Sequence, residues 1–235
     1  MAAESQVLVD TEKKYIAKFF SDASETDVKK VDISTLTWAK HTITLSGAAS
    51  PNFKIGEVLS VGAEKYLVTG FTAGASTVEV VGWDNTNKKA TAIDASSSGG
   101  DAVSGGVSGS NTRTYSSIAE QDYNVLVTKI MWITNGETVA IEWDGSDNEA
   151  YIAELAGNGS WSMPANEWPG IGINATGDSG NVLGDIQFST TGFGAGDSYT
   201  IIMELKKQAP GFDIPAYEEN QFLGYPVDFA LGNFT

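Results

Sequence analysis

The sequence predicts an all-β protein: an antiparallel β-sandwich of jelly-roll-like character, with an inserted small β-barrel-like module and an extended C-terminal arm. Three observations predict it. In Lys129–Asp144, KIMWITNGETVAIEWD, the pair Asn135-Gly136 separates two runs rich in β-formers, the short-range signature of a tight hairpin. After that pair Val139, Ile141 and Trp143 alternate with Thr138, Ala140 and Glu142, the period of a half-buried antiparallel strand. Helical apolar spacing is missing from every longer segment, and glycine is abundant at 26 of 235 residues, as many short strands joined by turns require.

Taken in order, Val7–Phe20 reads as a strand in which Tyr15, Ala17 and Phe19 share a face. Ser21–Thr26 is a polar break, and Asp27–Leu36 offers a second strand. Short strands then follow at Thr42–Ser46, Glu57–Val61, Lys65–Gly70 and Ser76–Gly82, punctuated by glycines. The rhythm FKIGEVLSVGAEKYLVTGF is like that of small SH3-like barrels, a likeness that implies no ligand. Ser96–Ser110, SSSGGDAVSGGVSGS, is a low-complexity Gly/Ser segment expected to bury nothing and reads as a flexible loop or linker.

Tyr123–Thr134 and Glu137–Asp144 form the expected hairpin, and Glu149–Ala156 follows it. Gly157–Gly184 is loop-rich and contains Trp161 and Trp168. Asp185–Thr190 and Ser198–Lys207 are further strands, the second alternating strictly with Tyr199, Ile201, Met203 and Leu205 inward. The expected domains are residues 1–37 and 113–207 for the sandwich, 38–95 for the inserted module and 96–112 for the linker. Residues 208–235 form the arm. The arm holds three of the six prolines and a spread of aromatics, Phe212, Tyr217, Phe222, Tyr225, Phe229 and Phe234. A solvated tail should be poor in aromatics, so these residues, with Trp161 and Trp168, are the candidate contact residues.

Composition bounds the function. The chain has no cysteine, which removes disulfides, thiolate metal sites and a cysteine nucleophile. Its net charge of −16 is unsuited to a nucleic-acid backbone. The acidity lies in the second half, where residues 113–207 carry 13 acids against 4 bases. Met1–Lys14 lacks the pattern of a signal peptide, and no apolar run approaches the roughly 18 residues that span a membrane. No membrane or nucleic-acid partner is therefore expected.

No catalytic or metal residues emerge. Gly177-Asp-Ser-Gly180 is reminiscent of a serine-protease nucleophile motif, but a triad also needs a histidine, and the single one, His41, sits in a short strand of the small module. Gly192–Asp197, GFGAGD, lacks the Lys-Ser/Thr of a phosphate loop and precedes a strand, so it reads as a turn. Asp144–Glu149 clusters three carboxylates without the spacing of a calcium loop. Zinc is unsupported with one His and no Cys. The expectation is a non-enzyme without cofactor or metal.

Several segments resemble a family of small β-sandwich virion structural proteins of marine tailed phages, of the cyanophage and pelagiphage type. They are VDISTL (Val31–Leu36), VTKIMWITNGETVAIEWD (Val127–Asp144), AELAGNG (Ala153–Gly159), GDIQFST (Gly184–Thr190) and GDSYTIIMELKK (Gly196–Lys207). Their order and spacing are similar to the family pattern over residues 7–37 and 113–207, whereas residues 38–112 and the arm depart from it. The resemblance implies a structural protein assembled in the host bacterial cytoplasm and residing in the virion. A capsid decoration or cement protein that binds and stabilises capsomers leads. The implied partners are the major capsid protein, other virion proteins and copies of itself, with a trimer among the expected forms. A neck, tail or fibre-attachment component is the alternative within the class. A carbohydrate-binding module for host-surface recognition, using Trp161 and Trp168, is the alternative outside it.

Overall fold

The structure is a computed structural model that describes residues 4–46, 53–72, 74–91, 102–105, 113–120, 123–144, 150–163, 170–172, 184–208 and 211–212. It is all-β, with one sheet wrapped into a sandwich and a second closed into a small barrel.

Strands β1 (Glu4–Asp10) and β2 (Lys14–Ser21) form a hairpin where the sequence suggested one strand. The break falls where Thr11-Glu12-Lys13 interrupts the apolar alternation, and the Thr11 N–H donates to the Lys14 carbonyl at 2.8 Å. In β2, Tyr15, Ala17 and Phe19 are buried, as their alternation requires. β3 (Val28–Val31) passes into a 3-10 turn at Ile33–Thr35, capped by the Asp32 carboxylate, which accepts from Ser34 N–H at 3.2 Å.

The barrel uses β4 (Lys40–Leu45), β5 (Val58–Val61), β6 (Glu64–Phe71), β7 (Thr77–Asp84), β9 (Ala102–Gly105) and β10 (Arg113–Glu120). The short β8 (Lys89–Ala90) pairs with β7. Strand order is β4-β10-β9-β5-β6-β7, and pairing of β7 back to β4 closes the ring. Ile43, Leu45, Phe53, Leu59, Val61, Tyr66, Val68, Val78, Val80 and Val103 fill its interior. Two of its strands come from sequence allotted elsewhere: β9 lies within the expected linker, and β10 within the stretch given to the sandwich. Pairing of β10 with β4 and β9 assigns residues 113–120 to the barrel sheet. Within the Gly- and Ser-rich stretch it is Val103 of β9, fully buried, that anchors the strand in the barrel core.

The sandwich sheet runs β1-β2-β15-β11-β14-β3, with β12 (Ala150–Ser162) and β13 (Ile171–Gly172) also paired to β11. Here β11 is Asn124–Trp143, β14 is Ile186–Thr191 and β15 is Ser198–Gln208. The hairpin expected at Asn135-Gly136 is not formed: β11 is one strand of 20 residues that passes straight through the pair. Its first half, Asn124–Asn135, pairs with β15, and its second half, Thr138–Trp143, with β14. β12 follows both halves on the other side, with a register shift between Ile133 and Thr138. Gly136 does adopt a left-handed φ of +92°, the conformation that favours Asn-Gly in hairpins, but the chain uses it to bend a strand rather than reverse it. The Asp197 carboxylate occupies the space a side chain at position 136 would need.

The bend lets the sheet close over itself. Phe19 of β2 meets Phe188 of β14 edge-on at 5.2 Å between ring centroids, and Phe188 meets Tyr199 of β15 at 6.0 Å. Val139, Ile141 and Trp143 point into the same core, together with Ile201, Met203 and Leu205. Sandwich and barrel join at a neck. Ala39 pairs with Phe212, Lys40 N–H donates to the Gly211 carbonyl at 2.9 Å, and the Tyr123 hydroxyl donates to the Lys40 carbonyl at 2.8 Å. The buried Lys207 ammonium closes this end, donating to the Asp10 carboxylate, the Thr11 carbonyl at 2.8 Å and the Thr37 carbonyl at 2.7 Å.

Candidate interaction surface

The sandwich layer built from β2, β15, the first half of β11 and the end of β12 turns one face to the core and the other to solvent. Register fixes what the outer face presents. Ser160, Met131, Ile202 and Lys18 lie across one row, and Asn158, Ile133, Thr200 and Phe20 across the next. Alternation would place polar residues here, yet Met131 is 40% and Ile133 62% exposed. With the half-buried Ile202 and Phe20 they form an apolar strip across three strands. Single exposed apolar residues are ordinary; a contiguous strip across neighbouring strands is a candidate contact surface.

A shallow cleft of about 420 Å³ opens along this strip, lined by Met131, Ile133, Asn158, Ser160, Thr200 and Ile202. Trp132 and Gly159 complete it. The Trp132 indole lies across Gly159, where any Cβ would collide with the ring, and its Nε1 donates to the Ala156 carbonyl at 3.2 Å. Exposed Lys18, Lys129 and Lys206 stand around the strip, with Lys14 paired to Glu204 at 3.1 Å. A chain of net charge −16 thus presents a locally cationic rim around apolar side chains.

The bend at Gly136 gathers a second polar cluster, buried rather than exposed. Glu25 accepts from Lys30 Nζ at 2.6 Å and from the Tyr199 hydroxyl at 2.6 Å. Burial and the Glu25 carboxylate hold the Tyr199 phenol far above its ordinary range. Glu137, only 4% exposed, has neither carboxylate oxygen hydrogen-bonded. Burial, then the charges of Asp197 and Glu25, push its pKa up to about 7. His41 at the neck is fully buried, and burial lowers it to about 4, so it stays neutral at physiological pH. Among the described residues no group of three or more His, Cys, Asp or Glu is arranged to hold a metal ion. No described helix is long and apolar enough to cross a membrane.

The sequence-predicted contact residues are not brought together. Trp161 lies opposite Ile130 on β12, half-buried against the sandwich core. Phe212 is 1% exposed within that core, 5.6 Å from the Tyr123 ring and beneath Lys207. Trp168, Tyr217, Phe222, Tyr225, Phe229 and Phe234 lie outside the described residues, as do Gly177–Gly180 and most of Asp144–Glu149. Gly192–Asp197 is a turn, with Asp197 N–H donating to the Gly194 carbonyl at 3.1 Å and the Asp197 carboxylate accepting from Gly194 N–H at 2.7 Å. Met131, Ile133 and Ile202 were not singled out from sequence. Their signal is the unbroken apolar run Ile130–Ile133, which leaves a half-exposed strand apolar on both faces.

No family model matches the chain, and no curated protein matches it. Among solved structures, it matches a chain from "Complete structure of manganese lipoxygenase of Gaeumannomyces graminis and partial structure of zonadhesin of Komagataella pastoris". Identity is 8% over 88% of this chain and 84% of that one, and at a TM-score of 0.14 the match carries no argument about fold or function.

Proposed function

We propose that the chain is a structural protein of a phage particle, a decoration or cement protein that binds the capsid surface. The observation that carries this reading is the outer sheet face, an exposed strip of Met131, Ile133, Ile202 and Phe20 rimmed by lysines. It is a broad, shallow surface on a rigid scaffold, suited to contact with another protein. A protein present in many copies gains affinity through repetition and needs no deep pocket. The family resemblance over residues 7–37 and 113–207 points to the same role, and the barrel at the neck supplies a second body on the same scaffold.

The test is binding of purified protein to capsids that lack it. Saturable binding that is lost in Ile133→Asp, while the variant keeps its melting temperature, is expected. No binding to the shell, with recovery instead at the neck or tail in labelled electron micrographs, would move the protein to the alternative virion position. Binding to a glycan array abolished by Trp161→Ala would instead favour a sugar-recognition module.

A further inference from the structure

We propose that Lys207 and Asp10 condense into an intramolecular isopeptide bond that ties β15 to β1. The two residues are 197 positions apart in sequence, yet Lys207 Nζ lies in hydrogen-bond contact with Asp10 Oδ1. Backbone pairing sets the approach. The Lys207 N–H donates to the Lys13 carbonyl at 2.9 Å, in the connection between β1 and β2. Three acceptors hold the amine: Asp10, the Thr11 carbonyl at 2.8 Å and the Thr37 carbonyl at 2.7 Å. The Phe212 ring lies beneath it, with its centroid 5.4 Å from Nζ. Asp10 is fixed as well. Its Oδ2 accepts from the Thr37 N–H at 3.0 Å and from the Thr37 hydroxyl at 2.9 Å. An amine and a carboxyl carbon immobilised side by side react at a high effective concentration.

Burial favours the neutral pair from which condensation starts. The Lys207 side chain is 0% exposed and that of Asp10 18%. Burial draws the Lys207 amine below the usual lysine range, against the opposing pull of the Asp10 and Glu12 carboxylates. A proton passes from Nζ to Oδ1 along the existing hydrogen bond, leaving an amine and a carboxylic acid. The amine lone pair then attacks Cγ and forms the N–C bond, while negative charge gathers on Oδ2, where Thr37 supplies two donors. A second Nζ proton moves to Oδ1, the Cγ–Oδ1 bond breaks and Oδ1 leaves as water. One ammonium and one carboxylate thus become one amide and one water, with no other reactant. The product keeps its partners: the amide oxygen retains both Thr37 donors, and the amide N–H retains a backbone carbonyl.

Mass spectrometry of the full-length folded chain reads the bond directly. The intact chain should be one water lighter than its sequence. Trypsin should release a branched species joining residues 1–13 to residues 207–235, one water lighter than the two peptides together, with cleavage after Lys207 blocked. Lys207→Arg keeps the cation but lacks the lysine amine, and should show the full sequence mass and no branched species. Two results would overturn the proposal. One is a chain of native circular dichroism, held for days in neutral buffer, that still has its full mass and releases the two peptides separately; the contact is then an ion pair only. The other is a water loss without the branched species, which places the dehydration within a single segment, as in a succinimide at an aspartate. The branched species identifies the bond even if Lys207→Arg fails to fold. Neither capsid nor partner enters the assay, so its outcome is independent of the role proposed for the outer face.

Discussion

The Tyr199 hydroxyl donates a 2.6 Å hydrogen bond to Glu25 Oε2 inside the sandwich, joining β15 to the segment that follows β2. Glu25 is itself stitched to β14, its N–H donating to Thr190 Oγ1 at 2.9 Å and its carbonyl accepting from Thr190 N–H at 2.9 Å. Its other carboxylate oxygen takes Lys30 at 2.6 Å. One residue therefore connects β14, through its backbone, to β15, through its side chain. Tyr199→Phe keeps the ring packed on Phe188 and removes only the hydroxyl. It should cost about 1.5–3 kcal/mol, the range for a hydrogen bond to a charged group, read as a lower urea midpoint at unchanged slope.

Glu137 imposes the opposite kind of pH dependence from a salt-bridged acid. Burial beside Asp197 and Glu25 raises it from 4.5 to about 7. Between these values the folded protein holds a proton that the unfolded chain has released. Stability is therefore full below about pH 4.5 and is lost as pH rises through about 7. Glu137→Gln should remove that loss and raise stability at pH 8 by about 1–3 kcal/mol, with little change at pH 4. Denaturant midpoints for both proteins across this range give the check; parallel pH profiles would show that Glu137 does not titrate there.

Gly136 places the bend. Its φ of +92° and the Asp197 carboxylate beside it leave no room for a side chain. Gly136→Ala should destabilise the protein by about 1–3 kcal/mol through backbone strain and displacement of Asp197. Gly56 also has a positive φ, +83°, but open space around it, so Gly56→Ala should cost less. Thermal melts of the two variants side by side measure the difference.

Much of the sandwich was legible in the sequence because alternation records which face is buried. Val139, Ile141 and Trp143, and Tyr199 through Leu205, read correctly for that reason. The bend did not, because Asn-Gly satisfies two demands alike. A reversing turn and a bent strand both need a positive φ, and only the long-range pairing with β14, β15 and β12 decides between them. Residues 102–105 join the barrel from within a Gly- and Ser-rich stretch, and residues 113–120 join it through pairing with β4 and β9 that no local sequence pattern records. The exposed apolar face was partly concealed for a related reason. A strand apolar on both sides reads the same whether its second face meets another layer or solvent, and Met131 and Ile133 meet solvent.

A place in the phage particle is the proposed role of this chain. Quantitative mass spectrometry of purified particles tests it most directly, with the ratio of this chain to the major capsid protein as the reading. A fixed ratio on the scale of the capsid subunits, unchanged through density-gradient purification, is the predicted result. Absence of the chain from particles, with the protein recovered only in the soluble fraction of the lysate, would contradict it.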